Sequence, residues 1–310
     1  MTSECRDQDM NMKPNKPLGL LLAGLLALLP MLAGAQTLER VRTSNAITLG
    51  YLPDLAPFSS EEGGKPGGYA IDLCLKIADA VKTGLGLSDM QVRYRAVSGD
   101  DAIDAITSGT IDILCSPTPE TLERRKSVSY SRPVYTAGLS ALVRKDAQPS
   151  LLNALNGEAV HSGPTWRATI NQGLANHTFA TIEGGVTEDW VRDKMRKLGV
   201  IATLVTVDSH EKGMRMVAEG KVDAFFAERM LLQQGLSKAA GAQEMRVLDR
   251  IFEIAPVSMA IARSDEDFRL LVDTVLSELY RTGELEQLHT RYFGAPGEML
   301  RILSRVYALP

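Results

Sequence analysis

The sequence is poor in the residues from which many enzyme sites are built. Its 310 residues include only three cysteines, four histidines and two tryptophans. The histidines His161, His177, His210 and His289 are not spaced as metal ligands, and there is no Cys-x-x-Cys, His-Glu-x-x-His, phosphate-binding loop or Ser/His/Asp set. The sequence therefore argues against a metalloenzyme, a nucleotide-dependent enzyme or a triad hydrolase, and we expect no cofactor and no enzyme activity.

The sequence also lacks an excess of positive charge. The chain has 34 Lys and Arg against 38 Asp and Glu, which gives a formal net charge of -4. A mildly acidic protein has no electrostatic basis for binding nucleic acid or an anionic membrane. We therefore expect no nucleic-acid partner and look instead for a small-molecule ligand.

Long apolar runs are absent except near the N-terminus. There, Lys13 and Lys16 precede the apolar run 18–32, and small residues follow at 33–35. The run is too short for a comfortable membrane span, and its flanks are typical of a secretory signal. We predict a signal peptide over 1–35, cleaved after Ala35, and a protein exported to the periplasm; an uncleaved signal anchor is the alternative.

Removal of the signal peptide would leave two of the three cysteines, Cys74 and Cys115. An even pair in an oxidising compartment favours a disulfide, although sequence alone leaves two buried free thiols as the alternative. In the chain-entropy account, closing a loop of this size stabilises the fold by about 4 kcal/mol.

The rest of the chain alternates strand patterns with helix patterns. Apolar segments 46–50, 91–96 and 110–114 predict strands, and 70–81 and 100–108 predict helices. A second series of the same kind runs over 179–227. Strands separated by helices of this length indicate parallel sheets with crossover helices, so an α/β fold is expected.

The two series share one motif: a helix, a glycine, a turn, and an apolar strand containing an aspartate. It occurs at 108–112 and again at 219–223. The repeat predicts two similarly built lobes, and the apolar segments flanking the second series predict the crossings between them. The expected boundaries are 36–134 with 259–310 for lobe 1, 139–254 for lobe 2, and 135–138 with 255–258 for the hinge crossings.

Arg124 follows a predicted strand and a loop rich in Ser, Thr and Pro. A guanidinium pairs with a carboxylate through two parallel hydrogen bonds, and polar loop groups can complete the carboxylate's shell. Ligands of open α/β sheets bind beyond the carboxyl ends of the strands, where this loop lies. Arg124 is therefore a candidate carboxylate-binding residue; a surface arginine after a strand-to-helix turn is the alternative.

Several short motifs resemble those of a known family in their order and spacing. They include Ala56-Pro57-Phe58, Gly68 to Leu73, Thr121 to Arg124 and Tyr292-Phe293-Gly294. In these segments the chain resembles the periplasmic solute-binding proteins of polar amino acid ABC transporters (family 3), nearest to the glutamate/aspartate type. The resemblance implies a monomer with the two-lobe type II (Venus-flytrap) fold, which closes on one ligand and delivers it to a membrane permease.

The resemblance also implies roles for individual residues. Arg124 matches the arginine that grips the ligand's α-carboxylate, and Ser98 matches a polar contact, with a helix N-cap as its alternative. Glu228 lies where the second lobe offers an aspartate to the α-ammonium group, with a solvated side chain as its alternative. Thr187 matches a loop that reaches the carboxylate while also capping a helix, and His210 matches a histidine near the ligand or is a capping or surface residue.

Two departures from the family pattern bear on the ligand. Leu52 and Asp101 stand where binders of acidic ligands carry arginines, so a second ligand carboxylate would be buried unpaired. Leu52 and Leu55 make that end of the site apolar. We therefore expect a neutral amino acid or a small organic acid and not glutamate or aspartate.

The loop before Arg124 also departs from the pattern. Pro117 and Pro119 occupy positions that usually supply polar contacts, and proline has no N–H to donate. The carbonyl of Pro117 can accept a hydrogen bond, and Thr118 can compensate, or the prolines only stiffen the turn. About twenty additional residues at 161–178 could cap the site, contact a partner or decorate the surface.

Two other functions share this fold. An exported enzyme similar to cyclohexadienyl dehydratase could use Arg124 to bind a carboxylate and Glu228 as a general acid or base. A ligand-sensing subunit could instead report to a membrane partner in trans. The expected function remains ligand capture for an ABC permease.

Overall fold

The computed structural model describes residues 37–99, 101–116, 118–158 and 173–310, without the side chains of 298–300 and 303. The predicted signal peptide, Pro117 and most of the predicted insertion lie outside these residues. None of the described helices is long and apolar enough to cross a membrane.

The order of elements alternates strands and helices along most of the chain. The helices are α1 (Thr37–Ser44), α2 (Tyr69–Leu85), α3 (Ala102–Thr107), α4 (Pro149–Asn156), α5 (Val186–Leu198), α6 (His210–Ala218), α7 (Arg229–Lys238), α8 (Glu266–Thr282), α9 (Glu284–Phe293) and α10 (Glu298–Tyr307). The strands are β1 (Ala46–Tyr51), β2 (Asp54–Leu55), β3 (Ser59–Glu62), β4 (Lys65–Gly67), β5 (Gln91–Ala96), β6 (Ile113–Leu114), β7 (Thr118–Pro119), β8 (Val128–Tyr130), β9 (Tyr135–Arg144), β10 (Thr178–Ile182), β11 (Thr203–Val207), β12 (Ala224–Glu228), β13 (Met245–Val247), β14 (Glu253–Ser258) and β15 (Ala260–Ala262).

The two main sheets are built in the same order. In lobe 1 the order is β5-β1-β6-β15-β8, with β1 parallel to β5 and β6, and β15 antiparallel to β6. In lobe 2 the order is β11-β10-β12-β9-β14-β7, with β10 parallel to β11 and β12, and β9 antiparallel to β12. The chain therefore forms the two α/β lobes that the repeated pattern predicts.

The glycine of the repeated motif turns the chain between helix and strand in both lobes. Gly109 and Gly220 have φ values of 70° and 67°, a region that glycine adopts without steric cost. The backbone after each glycine bonds back to the preceding helix, where Thr110 N–H donates to Ala105 and Lys221 N–H to Met216.

The aspartate of the motif immediately precedes β6 in lobe 1 and β12 in lobe 2, and it bonds to the parallel neighbour of that strand, β1 or β10. Asp112 accepts a hydrogen bond from the N–H of Thr48 at 2.7 Å, and Asp223 accepts one from Thr178, also at 2.7 Å. Arg40 further pairs with Asp112 at 2.9 Å. The repeat is thus a structural device that sets the register of parallel strands, outside the ligand site.

Apolar clusters cover both faces of each sheet because successive strand residues point to opposite sides. In β12, Phe225 is buried toward α6 and α7, while Phe226 packs on the other face with Phe179 of β10. In lobe 1, α2, α8 and α9 cover one face of the sheet and α3 the other. The C-terminal helices therefore pack back on lobe 1, as the sequence indicates.

A disulfide joins Cys74 of α2 to Cys115, which follows β6, with the two Cα atoms 6.0 Å apart. Both residues are fully buried in the lobe 1 core. The disulfide therefore links α2 to the end of β6, where the loop that leads to Arg124 begins.

The two predicted crossings lie side by side. Tyr135 of β9 pairs with Val257 of β14, and Ala137 pairs with Ala255, in antiparallel register. The two segments therefore form a ribbon continuous with the lobe 2 sheet. Their movement as a hinge, and the boundaries given above, stay predictions.

Several elements differ from the expectations. The first long helix covers Tyr69–Leu85 and so extends four residues beyond the predicted end, to Gly86 in the left-handed conformation. A small sheet of β2, β3 and β4 between β1 and α2 had no strand prediction, because its charged and glycine-rich sequence lacks an apolar period.

Candidate functional site

A cavity of about 460 Å³ lies between the lobes, where the carboxyl ends of both sets of parallel strands meet the crossing strands. From lobe 1 it is lined by Leu52, Leu55, Phe58, Pro119, Glu120, Thr121 and Arg124. From lobe 2 it is lined by Thr181, Ile182, Gly185, Val186, Thr187, Trp190, His210, Phe226, Ala227, Glu228 and Leu231. Strands β9 and β14, which contain the predicted crossings and are called the crossing strands, add Tyr135, Ala137, Leu139, Glu253, Ala255 and Val257.

Arg124 reaches this cavity from the start of a short 3-10 turn. Its backbone N–H donates to Thr121 Oγ1 at 3.1 Å, and its Nη1 donates to the carbonyl of Pro119 at 3.1 Å. Pro119 is in turn held by pairing with Val257 of β14. Within the described residues Arg124 has no ion pair, so most of its guanidinium N–H groups are available to a ligand.

Glu120 lines the same end of the cavity but is already neutralised. Its Oε2 accepts from Arg125, whose Nε lies 3.1 Å away, and its Oε1 accepts from the hydroxyl of Ser258 at 2.7 Å. Glu120 therefore pairs with Arg125 and not with Arg124, and the guanidinium of Arg124 stays available to a ligand in the cavity.

Glu228 ends β12 and caps α7. Its Oε2 accepts from the N–H of Leu231 at 2.9 Å, and the amides of Gly138 and Met230 and the hydroxyl of Tyr135 also act on it as donors. Burial nevertheless raises the pKa of this carboxyl to about 7, because the charged form loses water that the donors only partly replace. Burial, and then the Glu228 carboxylate, hold the pKa of Tyr135 well above its usual range.

Thr187 and His210 both line the cavity from helix N-termini of lobe 2. Thr187 is the second residue of α5, and Gly185 is its N-cap, so the predicted capping role of Thr187 is wrong. His210 begins α6 after the N-cap Ser209. Burial lowers the pKa of His210, with the carboxylate of Asp54 opposing that shift, which favours a neutral imidazole at neutral pH.

Two residues named from the sequence, Ser98 and Thr118, do not line the cavity. Ser98 is exposed, accepts from the N–H of Asp101 at 3.1 Å and donates to its carboxylate at 2.6 Å, but the N-cap of α3 is Asp101, so the predicted N-cap alternative for Ser98 is wrong. Thr118 donates from its hydroxyl to the carbonyl of Ser116 at 3.1 Å. Pro117 lies outside the described residues.

The cavity wall contains residues that the sequence did not single out as ligand contacts. Tyr135 packs at 4.8 Å between ring centroids against Phe58 and links lobe 1 to Glu228. Trp190 of α5 donates from its indole N–H to Glu253 of β14 at 3.0 Å. Glu253, Ala255 and Val257 line the cavity at every second position, and that spacing was the available signal.

Among the described residues, three carboxyl groups and one guanidinium line the cavity, but Arg125 offsets the charge of Glu120 and burial raises the pKa of Glu228 to about 7. Arg124 is the cation among the described lining residues, whereas Glu120, Glu228 and Glu253 are acidic. Most of the remaining wall is apolar. Such a site suits a ligand with one carboxylate and a mainly apolar body, and it opposes a second ligand carboxylate.

A second cavity of about 400 Å³ lies within lobe 2 between α4, α5 and β10. It shares Trp190 and Phe226 with the interlobe cavity, but none of the site residues predicted from the sequence lines it. Within the described residues there is also no group of three or more His, Cys, Asp or Glu able to hold a metal ion.

Residues 47–295 match the bacterial extracellular solute-binding proteins, family 3. The chain belongs to this family. The match begins in β1 and ends just after α9, and it includes every residue of the cavity described above.

This family 3 solute-binding protein is 28% identical to the L-glutamate/L-aspartate-binding protein of Pseudomonas aeruginosa over 264 residues, which are 84% of this chain and 80% of that protein. It is 23% identical to the glutamate/aspartate import solute-binding protein of Escherichia coli over 268 residues, 85% of this chain and 82% of that one.

The fold is also similar to a solved structure. An ancestral amino acid-binding protein, described as a precursor of cyclohexadienyl dehydratase, superposes with a TM-score of 0.66 and 22% identity, over 84% of this chain and 100% of that one. The likeness confirms the two-lobe type II fold of this solute-binding protein. The roles of the individual cavity residues stay predictions.

Proposed function

We propose that this protein captures a small ligand with a single carboxylate and an uncharged, mainly apolar body, and delivers it to an ABC permease. The supporting observation is Arg124, which is held by the carbonyl of Pro119 at the cavity wall without a described carboxylate partner. A guanidinium in that state offers two parallel N–H groups to a carboxylate. A neutral amino acid or a small organic acid satisfies this description.

Glutamate and aspartate, named for the two sequence relatives, fit the cavity less well. A second ligand carboxylate needs a second cation, and among the described wall residues Arg124 is the one cation, while Leu52 and Leu55 are apolar. Burying an unpaired charge costs several kcal/mol. The ligand class of this protein is therefore proposed to differ from that of its glutamate/aspartate-binding relatives.

The proposed delivery to a permease is supported by the family and by the E. coli relative, which is an import protein by name. We propose that the protein acts in the periplasm as a monomer. The proposed export signal ends at Ala35, so protein recovered from a periplasmic extract should begin at Gln36. Mass spectrometry of the intact protein measures this, and a chain that retains residues 1–35 would contradict it.

Arg124→Ala tests the proposed carboxylate contact. A thermal-shift screen of neutral amino acids and small organic acids identifies the best ligand, and calorimetry then gives its affinity. The variant should bind at least about thirtyfold more weakly, because removing one partner of a desolvated ion pair costs about 2 kcal/mol or more.

Lys126→Ala is a matched control for this experiment. Lys126 lies in the same 3-10 turn, is exposed and pairs with Glu123 outside the cavity. Its removal should leave ligand affinity within about twofold, since exposed ion pairs contribute little. Equal affinities of wild type and Arg124→Ala would exclude Arg124 as the carboxylate contact.

A second function, that of a dehydratase, is favoured by one observation. Glu228 has its pKa raised to about 7 in a cavity that also holds Arg124, which is a suitable state for a general acid or base. Incubation with prephenate or arogenate tests it. We expect no aromatic product; formation of a keto acid or of phenylalanine would replace ligand capture with catalysis.

A further inference from the structure

Two cavities lie along one face of the lobe 2 sheet. In β10, Thr181 lines the interlobe cavity, and Phe179, two residues earlier, lines the second cavity of about 400 Å³, called the lobe 2 cavity below. Side chains two positions apart on a strand point to the same side of the sheet. Trp190 and Phe226 are the described residues that line both cavities, so their side chains separate the two spaces.

Phe226 is the fixed half of this partition. Its side chain is buried, and its ring centroid lies 5.6 Å from that of Phe179 and 5.5 Å from that of Phe252. A ring enclosed on two sides in a close-packed interior has no space to turn aside. Trp190 is only half-buried, and its ring centroid lies 5.8 Å from that of Phe252. The indole of Trp190 is therefore the more accessible half of the partition.

Two neighbours hold the indole of Trp190 in one orientation. Its N–H donates to Oε2 of Glu253 at 3.0 Å, and the ammonium group of Lys194 lies 5.3 Å from the centroid of its ring. Glu253 belongs to β14 and lines the interlobe cavity. A hydrogen bond and a cation–π contact restrain the ring in addition to its packing. Trp190 therefore presents a defined apolar wall at this end of the interlobe cavity.

Arg124 and Trp190 lie toward opposite ends of the part of β14 that lines the interlobe cavity. Arg124 donates to the carbonyl of Pro119, and Pro119 pairs with Val257. Trp190 donates to Glu253, which lies four residues before Val257 on the same strand. Four residues of a β-strand span roughly 13 Å. A ligand whose carboxylate is bound by Arg124 therefore has room to extend along β14 toward Trp190.

We infer that Trp190 is a specificity-determining residue: it limits the length of the ligand's apolar body and closes the lobe 2 cavity to that body. The ligand is then a monocarboxylate whose apolar body ends at the indole. This inference rests on the proposed function, because it takes Arg124 as the carboxylate contact, and it adds an upper limit on the length of the ligand.

The test measures affinity against chain length on the intact protein. One series runs through the straight-chain 2-amino acids from 2-aminobutyrate to 2-aminodecanoate, and the other through the fatty acids from butyrate to decanoate. Calorimetry, or competition for weak ligands, gives each affinity. For wild type, each buried methylene should strengthen binding about fourfold until the body reaches Trp190, and longer chains should bind more weakly. The chain length of tightest binding is the optimum.

Trp190→Ala removes the indole and joins the two cavities. Its optimum should move to chains longer by about two methylenes or more. The longest chains should bind at least tenfold more tightly to this variant than to wild type, because their ends are buried in the lobe 2 cavity. Trp190→Phe keeps a ring at this position and should shift the optimum by less.

Met195→Ala is the matched control. Met195 lies in the same helix and lines the lobe 2 cavity but not the interlobe cavity. Its truncation enlarges the lobe 2 cavity without opening the partition, so the optimum should stay at the wild-type chain length. Each optimum compares ligands within one protein, so a lower stability of either variant does not change the comparison.

Tryptophan fluorescence gives a second measurement that leaves Trp190 in place. The chain has two tryptophans, so Trp166→Phe makes Trp190 the single reporter. Saturation with a ligand of optimal length should change its emission, because the apolar body displaces water from the indole. The shortest members should change it less. Unchanged emission at saturation overturns the inference even if Trp190→Ala does not fold.

The outcomes are distinct for the inference and for the proposed function. An optimum that Trp190→Ala leaves unchanged, or that Met195→Ala shifts equally, overturns the inference while binding that depends on Arg124 keeps the proposed function. Absence of binding by every member to wild type overturns both. A longer optimum in Trp190→Ala, with affinity lost in Arg124→Ala, supports both. The same shift with full affinity in Arg124→Ala keeps the length limit and overturns the carboxylate contact.

Discussion

Glu228 is the residue in which local structure and electrostatics are most closely joined. It ends β12, caps α7 and receives the Tyr135 hydroxyl, so one carboxylate links a strand, a helix and a crossing strand. The donors directed at it are uncharged amides and a hydroxyl, and burial outweighs them in its pKa. Stability should therefore depend on the ionisation of this single group.

The free energy of unfolding should fall as pH rises through the range that Glu228 controls. Its pKa is about 7 in the folded protein against an ordinary value of 4.5, so the folded state holds more protons between these values. The stabilisation that Glu228 contributes is fully present below pH 4.5 and is lost as the pH rises through 7. The loss amounts to about 3 kcal/mol, measurable by urea unfolding at a series of pH values.

Glu228→Gln is the control because its amide does not ionise in this range. The difference in stability between wild type and variant should shrink by about 3 kcal/mol from pH 4.5 to pH 8. Other buried carboxyls, such as Asp112 and Asp273, titrate in both proteins and cancel in the difference. A difference that is constant with pH would contradict the assigned pKa.

At the scale of single residues, the sequence indicates which residues line the cavity best where a motif defines the backbone. Arg124 and Leu52 come from segments whose local pattern specifies a strand end or turn, and both line the cavity. It did not anticipate that Glu228 is surrounded by donors, because these belong to β9 and α7 and depend on tertiary pairing. Ser98 was named as a ligand contact or a helix N-cap, and the N-cap of α3 is instead Asp101, to which the Ser98 hydroxyl bonds.

At the scale of elements, one close approach holds α6 on the lobe 2 sheet. Gly213 of α6 lies over the ring of Phe225 in β12, and a Cβ at that position would come within 2.5 Å of a ring carbon. Phe225 is fully buried, so its ring has no free space in which to move. The glycine is therefore required by packing and not by helix formation.

Gly213→Ala should lower the free energy of unfolding by about 1–3 kcal/mol, because the added methyl group overpacks a full core. Gly235→Ala in α7 is the matched control. Its Cβ would meet the terminal methyl of Met214, a flexible side chain that can turn aside, and alanine favours helix by about 1 kcal/mol. Urea unfolding should therefore give a clear loss for the first variant and little change or a gain for the second; equal losses would contradict this account.

At the scale of the whole molecule, the cavity wall comes from both lobes and from the two crossing strands. A ligand that contacts both lobes binds the closed arrangement more tightly and shifts the population toward it. The hinge predicted from the sequence lies in the paired strands β9 and β14. Ligand binding should therefore change the shape of the molecule in solution.

Small-angle X-ray scattering tests this closure. The carboxylate that gives the largest thermal shift should reduce the radius of gyration of wild type at saturation. Arg124→Ala at the same ligand concentration should keep the ligand-free value, because the contact that favours closure is lost. An unchanged radius for wild type, despite binding measured by calorimetry, would contradict a closing hinge.

The sequence by itself determined the family, the α/β class and the existence of two lobes. These follow from local information, since the alternation of strand and helix patterns, the glycine turns and the ordered motifs are all read within short segments. Only the tertiary structure decided which polar groups face the cavity and which are already paired. Hydrogen-bond partners such as Tyr135 and Glu228 lie about ninety positions apart in the chain, and only folding brings them together.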